Sequence, residues 1–194
     1  MSLFVAETGV WLRVPHAPQS TVEEVHVEGL HVELQSHTNW CWAAVGSAVA
    51  RHYDPATRFA RQCDVANEHL KRTRPTPEAQ AAAGVGRCCE GRHDCNLVAA
   101  MDQVLITVGR SGPIKAGPLA FDDLWEELPG LLCARIEHGQ RGHFVAIAGA
   151  SMHGREKQVL VGDPAVDGAF WCPYGVFRDS YLGDGVWTTT YWTE

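Results

Sequence analysis

Asn39-Trp40-Cys41-Trp42-Ala43-Ala44 sets a cysteine where the polar loop Ser36-His37-Thr38-Asn39 gives way to a helical pattern running from Trp42 to His52. The first N–H groups of a helix lack carbonyl partners and carry a partial positive charge, which favours the thiolate of a cysteine seated there. A thiolate is a nucleophile. Cysteine is also among the most buried residue types, so Cys41 taken alone reads as core. The choice between the two readings turns on whether a base, an orienting acid and an oxyanion donor occur elsewhere in the chain.

Outward from this stretch the chain divides into two unlike parts without a linker. Met1 to Thr21 is a mixed, Pro-containing arm, and Val25 to Leu34 alternates apolar with polar residues as a half-buried strand does. Helices are expected at Trp42 to His52, Phe59 to Lys71, Asn96 to Val108 and Phe121 to Leu128, the last ended by Pro129-Gly130. Thr73 to Asp94, rich in Pro, Gly and Ala, reads as a long loop pinned by its cysteines. Beyond it the pattern changes. Leu131 to Glu137, Phe144 to Gly149 and Gln158 to Gly162 are short apolar runs bounded by turns, followed by strand candidates at Gly175 to Asp179 and Val186 to Thr193. One α+β domain over residues 1–194 is expected, with an arm at 1–21, a mainly helical half at 22–130 and a β-sheet half at 131–194.

Composition narrows the function. A chain of 194 residues is long enough to bury roughly 70% of its unfolded surface around one core. Its net charge of −7, without a long run of Lys or Arg, argues against a nucleic-acid partner. No stretch approaches the roughly 20 apolar residues of a membrane span, and Met1 to Val14 lacks the basic and apolar blocks of a secretory signal. A soluble protein without a membrane partner follows. The acidic positions Asp122, Asp123, Glu126 and Glu127 surround Leu124, Trp125 and Leu128 as the solvated face of a helix. Trp171, Tyr174, Trp187, Tyr191 and Trp192 read as core and sheet packing.

Seven cysteines are many for a chain of this size, and Cys63, Cys88, Cys89 and Cys95 crowd together. Pairing the neighbours Cys88 and Cys89 would strain the intervening peptide, so each is expected to pair with one of Cys63 and Cys95. Zinc held by Cys88, Cys89, His93 and Cys95 is the rival, against the usual ligand spacing, and reduced packing cysteines are a third reading. Cys133 and Cys172 are simplest as apolar fillers.

Partners for Cys41 lie in the second half. Gly142-His143-Phe144-Val145-Ala146-Ile147 sets His143 at the mouth of an apolar strand, where its ring would reach a cleft and hold an ion pair with the thiolate. His138 and His153 compete for that role. Asp163, in Val161-Gly162-Asp163-Pro164, ends the next strand and would orient the imidazole, although Asp-Pro is ordinarily a turn. Gln35, upstream of Cys41, would join the Cys41 backbone N–H as an oxyanion hole worth roughly 3 kcal/mol. Asn39 and Trp42 would pack around the nucleophile.

With these residues in hand the chain resembles the papain-like cysteine proteases, carrying Gln35, Cys41, His143 and Asp163 in that family's order. Within the clan it is most similar to the bacterial avirulence-effector type, through Asn39 to Ala44, Cys88-Cys89, Cys95-Asn96 and Gly142-His143-Phe144; bacteriocin-leader peptidases that cut after double glycine are more distant. The resemblance covers roughly Gln35 to Thr193, with Asp163 where plant and lysosomal papains carry Asn. It implies helices packed on a twisted, mostly antiparallel sheet with a cleft between. It also implies peptide-bond hydrolysis through a Cys41 thioester, a protein or peptide substrate, and no metal or organic cofactor. The same residues would serve a glutamine deamidase or transglutaminase, and a catalytically lapsed binding module is the reading outside enzymes. Bridged cysteines without a signal peptide suit export by a signal-peptide-independent bacterial secretion system; the other expected compartment is the cytoplasm.

Overall fold

The computed structural model describes residues 22–128, 130–166 and 168–194, so the expected arm Met1 to Thr21 lies outside it. Strand β1, Val22–His26, shares only Val25 and His26 with the expected strand Val25 to Leu34, which is otherwise not a strand, because the chain turns at Gly29 with φ 70°. Val27 and Val32 still reach the core. Helix α1, Cys41–Tyr53, is buried from Cys41 through Ala50 and forms the centre of the helical half. Its small residues permit this: a Cβ added at Gly46 would stand 2.7 Å from Val104 Cγ1, so a side chain there would push the neighbouring helix away.

Helix α2, Gln62–Thr73, follows, and the expected Thr73 to Asp94 loop proves partly ordered. It contains α3, Pro77–Ala82, which starts with Pro77 and is capped by Thr76, whose Oγ1 accepts from the Ala79 N–H. Two 3₁₀ turns, Cys88–Glu90 and His93–Cys95, complete it. Helix α4, Met101–Val108, begins later than the apolar pattern suggests, since Asn96 accepts from the Asn39 N–H and Leu97 O accepts from the Trp42 indole. A short strand β2, Ile114–Ala116, and helix α5, Phe121–Glu127, lead into the sheet half.

There β3 (Leu132–His138), β4 (Arg141–His153), β5 (Glu156–Gly162), β6 (Ala169–Pro173) and β7 (Val186–Trp192) pair in the order β2-β7-β3-β4-β5-β6, with β1 also on β4. Every pairing is antiparallel. The expected strand Gly175 to Asp179 is instead helix α6, Tyr174–Asp179. Pro173 cannot donate to a ladder, and a five-residue run is too short for its periodicity to separate helix from strand. A single apolar cluster runs from Trp40 and Val49 through Leu105 to Ile136, Val145 and Trp187, joining helices to sheet. No helix among the described residues is long and apolar enough to cross a membrane.

Disulfides join Cys63 to Cys89 and Cys88 to Cys95. The zinc alternative through Cys88, Cys89, His93 and Cys95 therefore loses its thiolates, because the three sulfurs it needs are spent in bridges. The bridges matter to the centre of the molecule: Trp40, 1% exposed, donates its indole N–H to Cys95 O, and Trp42 donates to Leu97 O. The Cys88→Ser, Cys95→Ser double variant is expected to lose roughly 2–4 kcal/mol of stability in urea unfolding. An unchanged midpoint would show that the fold does not lean on this bridge.

Candidate active site

Cys41 is the first residue of α1, with a free thiol and 8% exposure. Its loop is held from both sides. Asn39 N–H donates to Asn96 Oδ1, Asn39 Nδ2 donates to Asn96 O, and Asn96 Nδ2 donates to Thr38 Oγ1. On the other side, the Gln35 N–H donates to Pro164 O at 2.8 Å and ties the helical half to the turn after β5. The first N–H groups of α1 have no intrahelical acceptor, as the start of any helix requires.

His143 lies within β4, opposite Ile136, and not at the strand's mouth as expected, because the β3–β4 ladder continues to His138 opposite Arg141. The expected strand Phe144 to Gly149 is preceded in β4 by Arg141, Gly142 and His143. The ring still reaches the cleft. Nε2 donates to Asp163 Oδ1 at 2.6 Å, which leaves Nδ1 for the side of the cleft that Cys41 lines. Asp163, directly after β5, is fully buried; its Oδ1 also accepts from the Ala165 N–H at 2.7 Å, and its Oδ2 accepts from Tyr181 Oη at 2.6 Å. Tyr181 was not legible from the sequence. It sits beyond α6 in a turn closed by the Tyr181–Gly185 bridge, with no motif to mark it.

These contacts set the charges. Burial alone pulls the His143 pKa down, but the hydrogen bond and charge of Asp163, with a further contribution from the neighbouring Cys41, outweigh it and lift it to about 9. For Asp163, burial pushes upward and is outweighed by the His143 bond and charge, then by Tyr181 and the Ala165 N–H, leaving it below its ordinary value. The Tyr181 hydroxyl, raised by burial and by the Asp163 carboxylate, stays a donor. Cys133, buried in β3, is pushed up to about 12 by desolvation, as suits a packing thiol.

The sign of the pH effect follows. A histidine raised in the folded state stabilises it fully below the unfolded pKa of about 6.5, and that contribution is lost as pH rises through about 9. The lowered Asp163 stabilises above about 3.9, and its share disappears as pH falls through the depressed value. The pair is therefore expected to stabilise most between about pH 4 and 6.5, by roughly 3 kcal/mol for His143. Urea unfolding from pH 3 to 10 of the wild type and His143→Gln checks this: the difference between the two should shrink at both ends. A difference independent of pH would refute it.

Gln35 lines the same cleft of about 760 Å³ as Cys41 and His143. Both hydrogens of its amide are taken, by His37 O and Thr38 O at 2.9 Å each, so an oxyanion would have to displace one of those carbonyls. The rival histidines stand apart. His138 lines the cleft but is bonded to Asp184 at 2.7 Å, and His153 ends β4 opposite Val22 and Glu156.

Neither a family model nor a curated protein sequence matches the chain. Among solved structures, digestive procathepsin L 3 of Tenebrio molitor larval midgut is similar with a TM-score of 0.51 and 10% sequence identity, over 94% of this chain and 74% of that one. At that identity the likeness is one of fold. The chain therefore adopts a papain-like α+β fold, with the helical half and the antiparallel sheet meeting at Cys41 and His143.

Proposed function

We propose that this protein is a cysteine peptidase. The observation that carries the reading is that Cys41 of α1 and His143 of β4 line one cleft, with His143 bonded to Asp163 after β5 and Asp163 bonded to Tyr181 beyond α6. A free cysteine, an imidazole held protonated and a buried carboxylate behind it are the parts a thiolate–imidazolium nucleophile requires. In this reaction the Cys41 thiolate attacks the peptide carbonyl, and the negative charge moves to its oxygen beside the Cys41 N–H. Gln35 adds a second donor by releasing Thr38 O. Collapse of the tetrahedral intermediate breaks the C–N bond as His143 hands its proton to the leaving amine. A thioester remains. His143, now neutral, takes a proton from water, which attacks the thioester and regenerates the thiolate and imidazolium. Asp163 keeps the ring's Nε2–H fixed throughout, and Tyr181 and the Ala165 N–H keep Asp163 fixed.

The avirulence-effector type is the subgroup that the Asn39 to Ala44 and Cys95-Asn96 motifs favour, and export accords with the two disulfides. Mass spectrometry of a diverse peptide library after incubation tests the activity. New amino termini made by the wild type and missing with His143→Ala support peptidase action; intact peptides gaining about one dalton would replace it with deamidation.

A further inference from the structure

Beyond the catalytic line the cleft has a charge pattern of its own. Arg141 and His143 are two apart in β4 and His138 is the register partner of Arg141, so the three project from one face of the sheet into the cleft. The position of Arg141 is well fixed. It closes a two-residue turn, Gly139-Gln140, whose first residue has φ 59°, a value that favours glycine. The carboxylates nearby are engaged elsewhere: Glu137 with Arg135 at 3.0 Å, Asp184 with His138 at 2.7 Å, Asp163 with His143 at 2.6 Å. Among the described residues Arg141 has no ion-pair partner, and no carboxylate lines the cleft. Arg141 is thus the cation of this wall without a carboxylate partner among the described residues, in a chain of net charge −7, so it is a local feature and not the spill-over of a basic surface.

The side of the cleft matters. The acyl group of a substrate stays on Cys41 at the start of α1, whereas the departing amine takes its proton from His143. Sheet residues next to His143 on its own face therefore flank the departing portion. We infer that Arg141 is a specificity-determining residue that receives a carboxylate just beyond the scissile bond, so that the preferred substrates are peptides acidic on the leaving side. This rests on the peptidase reading. A guanidinium offers paired N–H donors matched to a carboxylate, whether from an Asp or Glu side chain or from the free C-terminus of a short peptide.

The test is the cut-site profile of a proteome-derived peptide library digested by the wild type, Arg141→Gln and Arg141→Glu. Wild-type cuts are expected to be enriched about fivefold for Asp or Glu in the first three leaving-side positions, the size suited to an exposed charge-assisted contact. The enrichment should vanish in Arg141→Gln and turn toward Lys and Arg in Arg141→Glu. Cuts concentrated one or two residues from peptide C-termini would instead identify the terminal carboxylate as the ligand, with the same dependence on Arg141. Cuts without acidic enrichment, or an enrichment that Arg141→Gln leaves intact, overturn the inference and leave the peptidase reading standing. No cuts at all, with Cys41 still quickly alkylated by iodoacetamide, overturn both.

Discussion

Cys41→Ala is expected to reduce peptide turnover at least about 10⁴-fold while leaving the fold in place, since losing a nucleophile removes the covalent route entirely. The exchange deletes one sulfur from a residue that is 8% exposed, at the front of a helix held by Trp40 and Trp42. The protein offers an internal control. Cys133 and Cys172 are also free thiols, but desolvation raises the pKa of both and neither lines the cleft. Iodoacetamide at neutral pH should therefore label Cys41 first in the folded protein, and Cys133 and Cys172 only after unfolding. Peptide mapping that finds Cys133 or Cys172 labelled first would contradict the assignment, as would Cys41→Ala retaining more than about one part in a hundred of the wild-type rate.

Asp163→Asn is the second large effect, and it is chosen because the amide keeps the shape while removing the charge. In the wild type, burial would depress the His143 pKa were it not for the bonds and charge that hold it up to about 9. With a neutral partner the burial influence goes largely unopposed. The alkaline limb of the pH profile of kcat/KM should then move from near pH 9 to lower pH by about two. At pH 7 the rate should fall about 10²–10⁴-fold, because an amide can also present the wrong group to Nε2. Measuring kcat/KM from pH 5 to 10 decides the matter: a reduced rate with an unmoved alkaline limb would show that Asp163 acts only through packing.

Much of this site could be read from the residues. Cys41 announces itself by a polar loop ending in a helix-forming run, and Asp163 by a strand closed with Pro164. Where the reading strayed, the cause was tertiary. The helix expected from Asn96 starts at Met101 because Asn96 spends its side chain on Asn39 and Thr38. The run after Pro173 folds as helix because Phe177 alone needs burial, against Trp187 and Tyr181. Gln35 carries the right chemistry for an oxyanion donor, but its amide is engaged by the carbonyls of its own loop.

Pattern and residue type alone determined the α+β division, a cysteine at a helix start, and the requirement that Cys88 and Cys89 pair away from one another, since each depends on local backbone preference or covalent reach. Folding in three dimensions decided the rest: which nitrogen of His143 bonds Asp163, that Tyr181 steadies Asp163, and that Arg141, without an ion-pair partner among the described residues, stands beside His143. Those are meetings of segments far apart in the chain. Hydrogen bonds and charges act over a few ångströms of space, and no spacing along the sequence encodes which distant side chains will share them.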